Sequence, residues 1–118
     1  MSEDIEVLKH KAFHKEELCF EELYIDKRKR VVVCKENEID LTYTEFEILL
    51  LLAQNAGIVF SKEQIYEAVF GYDGTADDTA VTQHIKNIRA KLRTAGVAAP
   101  ETVLKTIWGV GYQWKSET

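Results

Sequence analysis

Four apolar residues, Val81, Ile85, Ile88 and Leu92, recur at spacings of four, three and four. At about 100° per residue they fall on one narrow face of a helix running from about 77 to 94. The opposite face carries Thr79, Gln83, Lys86, Asn87 and Ala90. A stripe this narrow has to be buried against other elements, while the face behind it stays in water or meets a polar partner. Asp77 or Asp78 is placed to cap the start, and Gly96 and Pro100 mark the loop that follows. Residues 103–107 and 112–114 then pair across a Trp108-Gly109-Val110-Gly111 turn.

Upstream, short alternating runs around Leu18, Leu23–Ile25, Val31–Cys34 and Ile39 are separated by polar turns, so a small antiparallel sheet is expected. Thr42 with Glu45, and Ser61 with Gln64, are capping boxes that open two helices. The first buries Phe46, Leu49, Leu50 and Ala53 and ends near Gly57. The second carries Ile65, Ala68 and Val69 and closes at Gly71. Ile58-Val59-Phe60 reads as an extended link, and residues 72–76 as a loop. A helix able to enter a major groove, with a hairpin beside it, is how winged-helix proteins hold DNA.

At 118 residues the chain suits one domain, with residues 1–16 as a charged tail or linker. No apolar run approaches a membrane span, and the acidic start lacks a signal peptide's pattern, so a cytoplasmic location is expected. Cys19 and Cys34 form no Cys-x-x-Cys pair and are expected as buried, reduced thiols. The net charge of -5 argues against DNA until its distribution is considered. Residues 1–60 hold 13 acids against 8 Lys/Arg, whereas residues 61–118 hold 7 of each. Within 79–94 lie Lys86, Arg89, Lys91 and Arg93 and no acid, so positive charge is expected to be local there.

Four segments in this order resemble the C-terminal effector domain of OmpR/PhoB-type response regulators. They are 41–49, 59–65, 81–92 and 106–112, and the likeness covers roughly residues 18 to 115. The resemblance implies an α+β winged helix-turn-helix with an N-terminal four-stranded antiparallel sheet, three helices and a C-terminal β-hairpin wing. It implies transcription regulation on double-stranded DNA, by head-to-tail dimers on direct repeats. It also implies an upstream receiver domain, for which this chain lacks the length. Carried over by position, the DNA-contacting set is Thr79, Thr82, Gln83, His84, Lys86, Asn87, Arg89, Thr106 and Trp108. Thr79, Gln83, Lys86 and Asn87 take groove-facing places, while His84, Arg89 and Thr106 take phosphate-facing ones. Tyr72, Asp73 and Gly74 fall in the loop that meets RNA polymerase in some members. Trp108 stands where many members carry Arg, and Asn87 where relatives often carry a basic residue; both lower the expected affinity.

The residues themselves leave alternatives open. The amides of Gln83 and Asn87 either read adenine or merely solvate a helix. Arg89 anchors phosphate or pairs within the molecule; His84 donates to phosphate or packs. Trp108 meets DNA, a protein partner or its own wing, whereas Tyr112 and Trp114 read as core. The run Lys27-Arg28-Lys29-Arg30 is a solvated turn or a contact. No histidine, serine or cysteine lies in a metal or nucleophile motif, so neither catalysis, a cofactor nor a metal is expected. The rival reading is a winged-helix module that binds protein, motivated by the acidic balance and by Trp108.

Overall fold

The computed structural model describes residues 16–71 and 78–116. The loop residues Tyr72, Asp73 and Gly74, the cap candidate Asp77 and all but the last residue of the tail therefore lie outside the described residues.

Strands β1 (Glu17–Cys19), β2 (Leu23–Asp26), β3 (Val31–Cys34) and β4 (Asn37–Ile39) form an antiparallel meander in sequence order. Leu23, Ile25, Val32, Cys34 and Ile39 bury one face of it, as strand alternation requires when only one side is covered. Helix α1 (Tyr43–Gln54) begins with the Thr42–Glu45 capping box, in which both reciprocal bonds form. Its buried stripe includes Phe46, Leu49, Leu50 and Ala53. After β5 (Val59–Phe60), the Ser61–Gln64 box opens α2 (Lys62–Phe70). Helix α3 (Thr79–Ala95) buries Val81, Ile85, Ile88 and Leu92 to within 1%. Each such side chain contributes roughly 1.5–3 kcal/mol relative to exposure, so this stripe is the central beam of the core. Asn37 Nδ2 donates to the Ala95 carbonyl at 3.0 Å and ties the sheet to the end of α3. A short helix α4 (Pro100–Val103) leads into β6 (Leu104–Ile107) and β7 (Gly111–Trp114).

Several expectations change. Residues 59–60 are more than a link: they pair with β7, giving a three-stranded sheet ordered β5-β7-β6. The expected loop at Pro100 contains a fourth helix, since Pro at its first turn lacks only a donor that would go unused there. Asp78 occupies the N-cap of α3 but makes no side-chain capping bond. Ala68 faces solvent, while Ile65 is buried as expected and Val69 packs half-buried against the core. Cys34 is buried but Cys19 is exposed, at the end of the edge strand β1; both are free thiols. No helix among the described residues is long and apolar enough to cross a membrane.

Candidate nucleic-acid interface

Gln83 and Lys86 are exposed and Asn87 half-buried on the side of α3 away from its apolar stripe, with Thr79 exposed at its start. Gln83 Nε2 donates to Asn87 Oδ1 at 3.0 Å. The two flanks of the helix are used for packing. On one flank, Thr82 meets the Tyr112 hydroxyl at 3.5 Å, and Arg89 reaches the hairpin. On the other, the His84 ring lies over Phe70, with centroids 6.5 Å apart. His84 Nδ1 is buried with no partner among the described residues, which leaves Nε2 as the nitrogen for any phosphate. The helix thus presents a narrow polar ridge with a seam on each side.

Arg89 joins the helix to the wing. Its Nε and Nη2 donate to the Leu104 carbonyl at 2.9 and 2.6 Å, and Nη2 also donates to Thr106 Oγ1 at 2.8 Å. The partner is a carbonyl, not the acid of an ion pair, and the two donors of Nη1 remain for another acceptor. Burial lowers the guanidinium's pKa, and the nearby Tyr112 and Glu101 oppose that shift. An Arg89→Ala variant should lose roughly 1–3 kcal/mol of stability, because the Leu104 carbonyl loses its charged donors. Amide exchange should accelerate in β6 more than in β1–β4; equal acceleration everywhere would deny Arg89 this local role.

The expected local positive charge is largely consumed within the fold. Lys91 Nζ sits 2.6 Å from Glu45 Oε1, and Arg93 pairs with Glu101. Among the described residues, Lys86 is the α3 cation with neither an ion pair nor a hydrogen bond. In the β2–β3 turn, Arg30 folds back: its Nη1 meets Glu47 Oε2 at 2.6 Å, and its guanidinium lies 4.4 Å from the Phe46 ring centre. Lys27, Arg28 and Lys29 stay exposed.

The wing turn is closed by the Val110 amide donating to the Ile107 carbonyl at 2.9 Å. Gly109 takes φ +77, the value a type II turn demands at its third residue. This lifts Trp108 to 91% exposure, whereas Tyr112 and Trp114 are core as expected. Thr106 is exposed on β6. One contributor escaped the sequence reading: Lys62, in the first turn of α2, lines a hollow with Thr106, Gly109 and Gly111 of the wing. The Ser61 capping box signalled that helix start, but only the β5–β7 pairing brings it beside the hairpin.

Known proteins agree with this arrangement. A family described as transcriptional regulatory protein, C terminal, matches residues 36–114. Regulatory protein VanRB of Enterococcus faecalis is 49% identical over 82 residues, covering 70% of this chain and 34% of that protein. The response regulator DrrB of Thermotoga maritima, an OmpR/PhoB homologue, superposes with a TM-score of 0.72 at 34% identity, over 96% of this chain and 52% of its own. The RstA DNA-binding domain of Klebsiella pneumoniae, solved in complex with the RstA box, gives 0.73 at 25% identity, over 85% of this chain and 97% of its own. This chain therefore spans about a third of VanRB and half of DrrB. With its four-stranded sheet, its helices and its wing, the chain belongs to the family of C-terminal domains of transcriptional regulatory proteins, of the OmpR/PhoB response-regulator type.

Proposed function

We propose that this chain is the sequence-specific DNA-binding output domain of a phosphorelay response regulator. The observation that carries the reading is the ridge of α3, where Gln83, Lys86 and Asn87 project between two packed seams with no acid among them. A helix of this width fits a major groove, and the ridge offers amide and ammonium groups to base edges. Thr106, Trp108, Lys62 and the spare donors of Arg89 then face the backbone, where contacts set register and carry no sequence information. Thr82 and His84 support the ridge from its seams, with His84 Nε2 on the phosphate side. The amide-rich first turn of α2 suits a phosphate in the same way.

The further parts of the reading follow from the family. Residues 1–16 act as a linker from a receiver domain. Two copies bind a direct repeat head to tail, with half-sites about one helical turn apart. The loop at Tyr72, Asp73 and Gly74 meets RNA polymerase. Trp108 packs on sugar or donates its indole N–H to phosphate, taking the place of a charged wing residue. The acidic excess that motivated a protein-binding module falls within residues 1–60 of the sequence, whereas residues 79–94 hold no acid.

Lys86→Ala tests the reading. Removing one phosphate-range cation should weaken binding roughly fivefold at near-physiological salt and reduce the salt slope by about 1. Titrations of one duplex across a salt series measure both. An unchanged slope would contradict a phosphate contact, and unchanged affinity as well would remove Lys86 from the interface.

A further inference from the structure

The bond between Gln83 Nε2 and Asn87 Oδ1, 3.0 Å long, is exposed on the side of α3 away from its buried stripe. Residues four apart on a helix are neighbours, so the pair forms without bending the backbone. An amide has two N–H donors and one carbonyl acceptor. The bond uses one donor of Gln83 and leaves its Oε1 and its second N–H. We infer that Asn87 is a positioning residue: it holds the Gln83 amide in the orientation that reads adenine at one position of the site and rejects guanine there. The inference rests on the DNA-binding reading above.

The chemistry follows from the base edges. Adenine presents an acceptor at N7 and a donor at N6, which match the donor and acceptor of one glutamine amide. Guanine presents acceptors at both N7 and O6. An unrestrained glutamine overcomes that mismatch by turning its amide over and offering N–H to O6. With Asn87 in place, the turn brings Gln83 Oε1 against Asn87 Oδ1, two acceptors face to face. Only a concerted turn of both amides escapes this conflict. Asn87 is half-buried while Gln83 is exposed, so the anchoring partner is the more constrained of the two. This also explains what an asparagine does on the ridge where a cation would strengthen binding: it exchanges affinity for a fixed amide.

The test is selection from random duplex DNA at one salt concentration, using the 118-residue chain and three variants. The parent chain is expected to enrich an A·T pair at one position, rejecting G·C there by roughly tenfold. Gln83→Ala should make that position indifferent. Asn87→Leu should leave the rest of the site unchanged while admitting G·C at that same position. Asn87→Asp, whose carboxylate still accepts from Gln83, should restore the rejection with weaker binding overall. A purely structural Asn87 would weaken binding at every position alike. Unaltered melting of each variant excludes misfolding. The inference is overturned if Asn87→Leu and Gln83→Ala alter different positions, if Asn87→Leu still rejects G·C, or if the parent chain accepts guanine there. Should the parent chain enrich no sequence at all, the DNA-binding reading itself fails; the other outcomes leave that reading intact.

Discussion

Gly111→Ala is expected to melt about 10 °C or more below the parent chain. A Cβ on Gly111 would overlap the Phe60 carbonyl oxygen and lie 2.8 Å from the Phe60 carbonyl carbon and the Ser61 Cα. These are backbone atoms of β5 and of the α2 cap, so no side chain can rotate away. Relief requires β5 and β7 to separate, which undoes the Val59–Gln113 and Phe60–Tyr112 pairing. Overpacking of this kind costs about 1–3 kcal/mol or more. It also displaces the first turn of α2 from the wing, so affinity for DNA should fall with stability. Gly109→Ala provides the control. Gly109 has φ +77 but nothing within 4 Å, so its substitution carries only the conformational cost of about 1–2 kcal/mol. Equal melting losses in the two variants would show that the close approach to β5 is not what selects glycine at 111.

Lys91→Met should cost about 1–3 kcal/mol at neutral pH, and much less in acid. Glu45 is 3% exposed. Its Oε1 accepts from Lys91 Nζ at 2.6 Å and from the Thr42 amide at 3.0 Å. Burial pushes the carboxyl's pKa up, but the bonds from Lys91 and Thr42 outweigh it and hold the group below its ordinary value of 4.5. A carboxyl whose folded pKa is depressed adds stability above the unfolded value, and that stability disappears as the pH falls through the folded value. The Lys91 head is itself about a third exposed, so solvent screens the attraction. Most of the cost therefore comes from leaving a buried carboxylate with one partner fewer. Thermal melting of both chains at pH 7 and near pH 3 measures the effect. The gap between them should narrow in acid; a gap independent of pH would assign the loss to packing of the lysine stem.

What could be read from the sequence was whatever depends on close neighbours in the chain. Both capping boxes formed as their three-residue spacing indicated, because each partner lies one turn away. The α3 stripe was legible because its period matches the helix, and that also fixed the ridge. What could not be read depends on distant partners. Val59 and Phe60 become a strand only through β7, more than fifty residues later. Lys91 and Arg93 looked like free cations within 79–94, yet one is claimed by Glu45 of α1 and the other by Glu101 of α4. The guanidinium of Arg89 goes to a main-chain carbonyl that no residue pattern announces. Cys19 was read as buried because it lies in a strand, but the strand is an edge.

The central claim, that the α3 ridge is the surface that meets DNA, is tested most directly by NMR titration of the chain with a selected duplex. The backbone amide of Lys86 and the side-chain amides of Gln83 and Asn87 should shift most, followed by Thr106 and the Trp108 indole. Strands β1–β4 should stay unperturbed. Shifts centred on that sheet, or on Trp108 with the ridge silent, would contradict the account.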